Sequence, residues 1–329
     1  MSLTSMLRNR GYEEFHEVCK EIIPRKNDFR TNVTYPAFSH EYPVLAPNNL
    51  SQVYYSAVVG TAFDFMARVL IARILKKDQL QVLDGLIAEE ALRKSVAKDN
   101  KLNKKLRDKY DLCIKECRKY ILGKSNDYVK ILPLSCYLAK LEHIIRSGYP
   151  PSAGYSSLLE DIDKEITDDL HNICTVFYDV FIKSAIVHSN SEIIFNPTMG
   201  KWSTLCGGAD ADIFVDGVLY DFKTSIQLGY KWKEVAQLYG YYLLYLLEGD
   251  EDVTREKWIN THEIKSIAFY RARFGVIEKY VCGDKSELVE EKSKFKKCIE
   301  NEGVNKKNNN ENELSKYLEQ LKNREALSK

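Results

Sequence analysis

From Ser51 to Ser147 apolar residues recur every three to four positions. Phe63, Ala67, Leu70, Ile71 and Ile74 form one such set, and Leu80, Leu83, Leu86, Ile87 and Leu92 form another. This is the period of helices that bury one face. Tyr149-Pro150-Pro151-Ser152-Ala153-Gly154 interrupts the pattern, because paired prolines and glycine break helices. A further long helix is predicted from about Ser156 to His188. The period then shortens. Ile193-Ile194-Phe195 reads as a short strand ahead of an Asn196-Pro197 turn, and Ala211 to Phe222 alternates about Asp216-Gly217, a hairpin signal. Trp232 to Leu247 returns to the helical period, and Ile267 to Val281 reads as one or two more strands.

The ends are less regular. Residues 1–50 hold a short helix around Tyr12–Ile23 and then a Pro- and Asn-punctuated segment, which reads as an arm or irregular lead-in. Beyond Asp284 the chain is charged and then Asn/Lys/Glu-rich, which reads as a solvated helix with a disordered patch. The organisation is therefore an arm over 1–50, a helical region over 51–155, an α/β core over 156–283 and a charged tail over 284–329. No internal repeat is present.

Composition narrows the class. The chain has 329 residues, 48 of them Lys or Arg and 47 Asp or Glu, a formal charge of +1. That excludes a histone-like polycation and an acidic tail protein. The opening MSLTSMLRNRGYEEF has neither the apolar core nor the small-residue cleavage site of a secretory signal. Tyr55 to Leu75 is the longest apolar stretch but carries Asp64, Arg68 and Arg73, which makes it a poor membrane span. The 8 cysteines are scattered without any CxxC. Reduced thiols, a cytoplasmic location and no membrane or zinc ribbon are the expectation.

Chemistry concentrates in the hairpin. With Asp216-Gly217 as a two-residue turn, Val215 faces Val218, Phe214 faces Leu219 and Ile213 faces Tyr220. Continued outward, the register sets Asp212 against Asp221 and Asp210 against Lys223. Alternation then puts Asp210, Asp212, Phe214, Leu219, Asp221 and Lys223 on one face. Carboxylates about 5 Å apart repel by about 3 kcal/mol at an effective dielectric of 20. A hard divalent cation bound between them removes that repulsion. Two carboxylates and a lysine around Mg²⁺ suit phosphodiester hydrolysis.

Asp212 followed by Asp221-Phe222-Lys223 on the returning strand resembles the signature of PD-(D/E)xK nucleases. Gln237-Leu238-Tyr239-Gly240-Tyr241 is similar to the QxxxY motif of the RecB-like branch. Gly60-Thr61-Ala62-Phe63-Asp64 resembles that branch's upstream GxxxH helix motif, with Asp64 where histidine is usual. The resemblance covers about residues 51–75 and 190–282 in outline. It implies a restriction-endonuclease-like mixed β-sheet flanked by helices, with a large helical subdomain and the nuclease core over 156–283. It also implies Mg²⁺ or Mn²⁺ held by Asp212, Asp221 and the Phe222 carbonyl, with Lys223 catalytic. Gln237 and Tyr241 would hold the water or the scissile phosphate region. Some of these nucleases carry an iron–sulfur cluster, but Cys282 and Cys298 are too sparse for one, so none is expected.

Alternatives stay open at several positions. Asp210 reads as a metal ligand in place of Asp212 or as the ion-pair partner of Lys223. Asp64 reads as the upstream ligand or as the acid of an i, i+4 pair with Arg68, and Glu165 and His171 are rival suppliers of that ligand. Tyr239, Tyr242 and Tyr245 read as packing residues. The basic segment Arg93–Lys109, with Lys98, Lys101, Lys104 and Lys105, is either a solvated face or a phosphate-tracking surface. The leading function is a nuclease on nucleic acid, DNA before RNA. A catalytically inactive binding or assembly module is the first alternative. A glycosyltransferase using Asp210-Ala211-Asp212 as a DxD motif ranks below it.

Overall fold

A computed structural model describes residues 2–94, 100–251, 254 and 256–301. Helices and strands follow in chain order as α1 (Leu3–Arg8), α2 (Glu13–Ile22), β1 (Arg30–Thr31), α3 (Val53–Ala72), α4 (Ile87–Lys94), α5 (Asn100–Ile121), α6 (Leu132–Ser147) and α7 (Lys164–Phe177). Then come β2 (Ile193–Phe195), α8 (Gly200–Cys206), β3 (Ile213–Val215), β4 (Val218–Lys223), α9 (Trp232–Gly249), α10 (Lys257–Thr261), β5 (Ser266–Arg271) and β6 (Val276–Val281). The strands form one six-stranded mixed sheet in the order β1-β6-β5-β4-β3-β2. Only β4 and β5 run parallel. The fold is therefore mixed α/β, a mixed sheet flanked by helices.

The hairpin register follows from its turn. Asp216 and Gly217 both have positive φ, 47° and 87°, as a primed two-residue turn requires to match strand twist. Val215 pairs with Val218, Phe214 with Leu219 and Ile213 with Tyr220, as the alternation predicts. Two apolar layers result. Phe214 and Leu219 join Ile267, Phe269 and the buried face of α9. Ile213, Val215, Tyr220 and Phe222 join Ala268, Tyr270 and the helical region. Phe222 there meets Phe63 of α3 and Phe177 of α7, with ring centroids 5.9 and 5.7 Å away.

Helix α3 is apolar on nearly all sides because it is enclosed on nearly all sides. By length and composition it could cross a membrane, yet its most apolar window is 72% buried inside the body. It lies between the sheet and helices α6 and α7. Gly60 lets it come close to the end of β4: a Cβ there would stand 3.2 Å from Thr224 Oγ1.

Several expectations change. The segment up to residue 50 holds the expected short helix as α2 and is irregular from 32 onward, but it packs on the body rather than extending as an arm: α1 buries Leu3, Met6 and Leu7, α1 and α2 pack on α9, and β1 pairs with β6 at the sheet edge. The tail begins as a packed helix rather than a solvated one. Residues 289–301 are helical, Leu288, Phe295, Cys298 and Ile299 are buried, and the Phe295 ring lies 5.8 Å from Phe15. The remainder of the tail, and Lys98, lie outside the described residues. The helix expected over 156–188 is α7 continued by one wide turn, Tyr178–Lys183. Gly154 is left-handed, and the acidic stretch Glu160–Asp163 precedes the helix instead of entering it, where negative charge favours the N-terminal end. Helix α8 is too short for its period to show in the sequence.

Candidate active site

Strand β4 delivers Asp221 and Lys223 to the face under α9. Lys223 Nζ lies 2.5 Å from Asp221 Oδ2, and both side chains are largely buried. Asp212 immediately precedes β3. The ladder expected to continue through it ends instead at Ile213–Tyr220. Asp212 N–H donates to Tyr220 O at 3.3 Å, and its carbonyl accepts from Asn196 N. Its carboxylate turns onto β4, where Oδ2 accepts the Phe222 N–H at 2.5 Å. The side chain thus takes the donor that a further strand residue would have satisfied. Asp210 does not oppose Lys223 as the simple register required. It is exposed and bridges Thr198, and the lysine pairs with Asp221 instead.

Asp64 enters from α3. Its Oδ2 pairs with Arg68 NH2 at 2.8 Å, so the i, i+4 pair is real. Its Oδ1 is buried with no hydrogen-bond partner. Pairing and proximity to the site coexist: the charges of Asp64 and Asp212 act on one another. Helix α9 supplies the roof. Glu234, Gln237 and Tyr241 follow at helical spacing on one side, and Gln237 Nε2 donates to Tyr241 Oη at 2.8 Å. Glu234 accepts from Arg271 at 2.9 Å, and Arg271 also donates to the fully buried Glu278 at 2.8 Å.

The electrostatics show an excess of negative charge. Burial, then Asp64 and Asp221, push the Asp212 carboxyl well above its usual range. Burial also raises Asp221 against the opposing pull of Lys223. Asp64 is pushed up to about 6, by burial more than by the neighbouring Glu142 and Asp210, with Arg68 opposing. Burial pulls the Lys223 ammonium down, but Asp221, Glu234 and Asp212 outweigh burial and raise it. Burial would raise Glu234, yet Arg271 and Lys223 prevail and lower it. Tyr241 is held protonated by burial and by the field of Asp221.

Among the described residues, no three Asp, Glu, His or Cys side chains already stand at the spacing of a bound ion. The chemistry of the donors nonetheless fits a hard divalent cation. Asp212 is repelled by Asp64 from α3 and by Asp221 from β4, all three away from water, and one oxygen of Asp64 lacks any partner. A cation with a preference for oxygen relieves both.

The rival ligands are engaged elsewhere. Glu165 accepts from the Ser51 N–H and hydroxyl at 2.8 and 2.7 Å. His171 stacks on Tyr128 and shares a hydrogen bond with its hydroxyl at 3.2 Å. The Phe222 ring is fixed in the aromatic layer and its N–H on Asp212. Tyr239, Tyr242 and Tyr245 are buried packing residues of α9. Of the basic segment, Lys101, Lys104 and Lys105 lie exposed on α5, whereas Lys109 turns inward to the carbonyls of Leu158 and Glu160.

Sequence reasoning missed Glu234, Arg271 and the α6 pair Glu142–Arg146, whose charges reach Asp64. Glu234 had a signal, since it stands three residues before Gln237 and so shares its helix face. The others are brought in only by the fold. No family model, no curated protein and no solved structure matches the chain.

Proposed function

We propose that the protein is a metal-dependent phosphodiesterase of the RecB-like nuclease kind, with a restriction-endonuclease-like core, acting on nucleic acid and on DNA before RNA. One observation carries the reading: α3 brings Asp64 to Asp212, beside the Asp221–Lys223 pair and the Gln237–Tyr241 pair. The motif residues are scattered over more than 170 positions of sequence, from 64 to 241, and the fold gathers them.

Asp64, Asp212 and Asp221, with the Phe222 carbonyl, would hold Mg²⁺ or Mn²⁺, which when bound supplies a Lewis acid for phosphate oxygens and acidifies water. Lys223 stays charged because Asp221, Glu234 and Asp212 raise it. It therefore acts at neutral pH as a cation and hydrogen-bond donor toward developing phosphate charge, and the general-base role falls elsewhere. Tyr241, protonated and fixed by Gln237, orients a second donor toward the same region. Lys104 and Lys105, with Lys98 and Lys101 in the same basic segment, would track the phosphate backbone. The DxD reading has less support, since Asp210 is exposed while Asp212 is turned onto Phe222.

The test is incubation of labelled single- and double-stranded DNA and RNA with the protein and Mg²⁺ or Mn²⁺. Cleavage that stops with EDTA and with Asp221→Asn supports the proposal. An inert protein with all substrates and both metals overturns it and favours the binding-module reading.

A further inference from the structure

A cavity of about 610 Å³ lies between α3, α6 and the segment that follows α6. That volume is within the roughly 300–1,000 Å³ of pockets that enclose a small organic ligand. Its walls carry Tyr54 and Thr61 of α3, Lys140, His143 and Arg146 of α6, and Tyr149. Thr61 stands three residues before Asp64, hence on the same side of α3 and about 4.5 Å along its axis. Arg146, paired with Glu142 at 2.6 Å, feels the charges of Asp64 and Asp210. Arg146 therefore marks the end of the cavity nearer to Asp64.

The lining has a distinctive composition. Tyr149 is 76% exposed and Tyr54 55% exposed, whereas nearly every other tyrosine flanking the site is buried. Pro150 and Pro151 stiffen the segment that carries Tyr149. Arg146 is already paired with Glu142, and Glu160 is the one acidic residue that lines the cavity with Lys140. Exposed aromatic faces next to cations form the surface on which unpaired bases stack while the backbone is held electrostatically. A duplex offers neither free base faces nor a cross-section that enters such a volume.

We infer that this cavity binds the unpaired bases of a single-stranded nucleic acid, leading the strand past Arg146 to the carboxylates. Tyr54 and Tyr149 supply the stacking faces and Lys140 the phosphate contact. This rests on the phosphodiesterase reading for its consequence, not for its binding site. DNA and RNA share the chemistry, so both are tried.

The experiment measures anisotropy of short fluorescein-labelled oligothymidylate and oligouridylate, with Ca²⁺ present to hold the strands uncut. The Tyr54→Ala/Tyr149→Ala double variant should weaken binding roughly thirtyfold or more, and Tyr149→Trp should keep it. Lys140→Glu should flatten the salt dependence. The tighter of the two oligonucleotides names the sugar. Unchanged affinity in the double tyrosine variant, no binding by the wild type, or equal binding of a blunt duplex through the same tyrosines overturns the inference. Both tyrosines are exposed, so equal melting temperatures will separate lost binding from lost fold. Binding through these tyrosines without cleavage of any substrate sinks the nuclease reading and leaves the strand site standing. Cleavage that ignores them does the reverse.

Discussion

The Asp212 carboxylate accepts the backbone N–H of Phe222, the residue that separates Asp221 from Lys223 on β4. One side chain thus ends the β3–β4 ladder and fixes its own charge against Asp221. The hydrogen bond needs an acceptor oxygen, and the repulsion needs a negative charge. These demands can be separated by mutation.

Asp212→Asn keeps an acceptor for Phe222 and removes the charge. Without metal it should be as stable as the wild type or more so. It should lose most of the stabilisation that Mn²⁺ gives the wild type, roughly 2.7 kcal/mol at a hundredfold excess over Kd. Asp212→Ala leaves a buried N–H unpaired and should cost about 1–3 kcal/mol. Thermal melts of the three proteins with and without Mn²⁺ decide it. A destabilised Asn variant with a full metal shift would show that Asp212 is structural.

Burial of these carboxyls, with the repulsion added to it, gives a pH dependence. Folding raises the carboxyls of Asp64, Asp212 and Asp221, with Asp64 moved from 3.8 to about 6. A carboxyl raised by folding stabilises the fold when protonated. Its contribution is complete below pH 4 and disappears as pH climbs through the folded value. For Asp64 this amounts to about 3 kcal/mol. Glu234, lowered by Arg271 and Lys223, runs the other way, but its change is over by the upper part of the window. In EDTA, urea melts should therefore show the wild type losing more stability than Asp64→Asn between pH 4.5 and 7.5. Parallel curves for the two proteins contradict the charge arrangement.

Much of this was legible because the determinants are local. The Asp216-Gly217 turn fixes the register of β3 and β4, and the spacing of Gln237 and Tyr241 fixes their common side of α9. Reading outward along the ladder failed at Asp212, because a side chain there replaces the backbone acceptor. Asp210 was misplaced for the same reason. The packing of residues 2–50 was hidden, since α1 and α2 are short and their burial depends on α9, more than two hundred residues away. Arg271 and Glu278 carry no local signal, since only the fold closes them off with Glu234.

Lys223 has a structural as well as a chemical role. Its ammonium is the cation beside buried Asp221, so Lys223→Met should abolish cleavage and also cost stability. Breaking a buried pair from one side costs about 3–5 kcal/mol. Part will be recovered when Asp221 takes up a proton. The double variant Lys223→Met/Asp221→Asn should regain stability and remain inactive. Melts and single-turnover cleavage measure the two properties separately. Activity surviving in Lys223→Met would remove the lysine from the chemistry.

Gly60 tests how Asp64 is positioned. Glycine inside a helix costs about 1 kcal/mol relative to alanine, so an alanine that fitted would stabilise α3. A Cβ at this position would stand 3.2 Å from Thr224 Oγ1 at the end of β4. For the contact to relax, either the threonine rotates or the helix lifts off the sheet, carrying Asp64 with it one turn further on. Gly60→Ala should therefore fail to gain the expected stability. It should also lower the cleavage rate, since displacement of a catalytic group by about 1 Å can cost about a hundredfold. Thr224→Ala removes the obstructing atom. In that background Gly60→Ala should gain about 1 kcal/mol and restore the rate toward that of Thr224→Ala alone. The coupling between two residues in contact is the diagnostic quantity. Additive effects of the two substitutions on rate would mean that the approach of α3 to β4 does not set the position of Asp64.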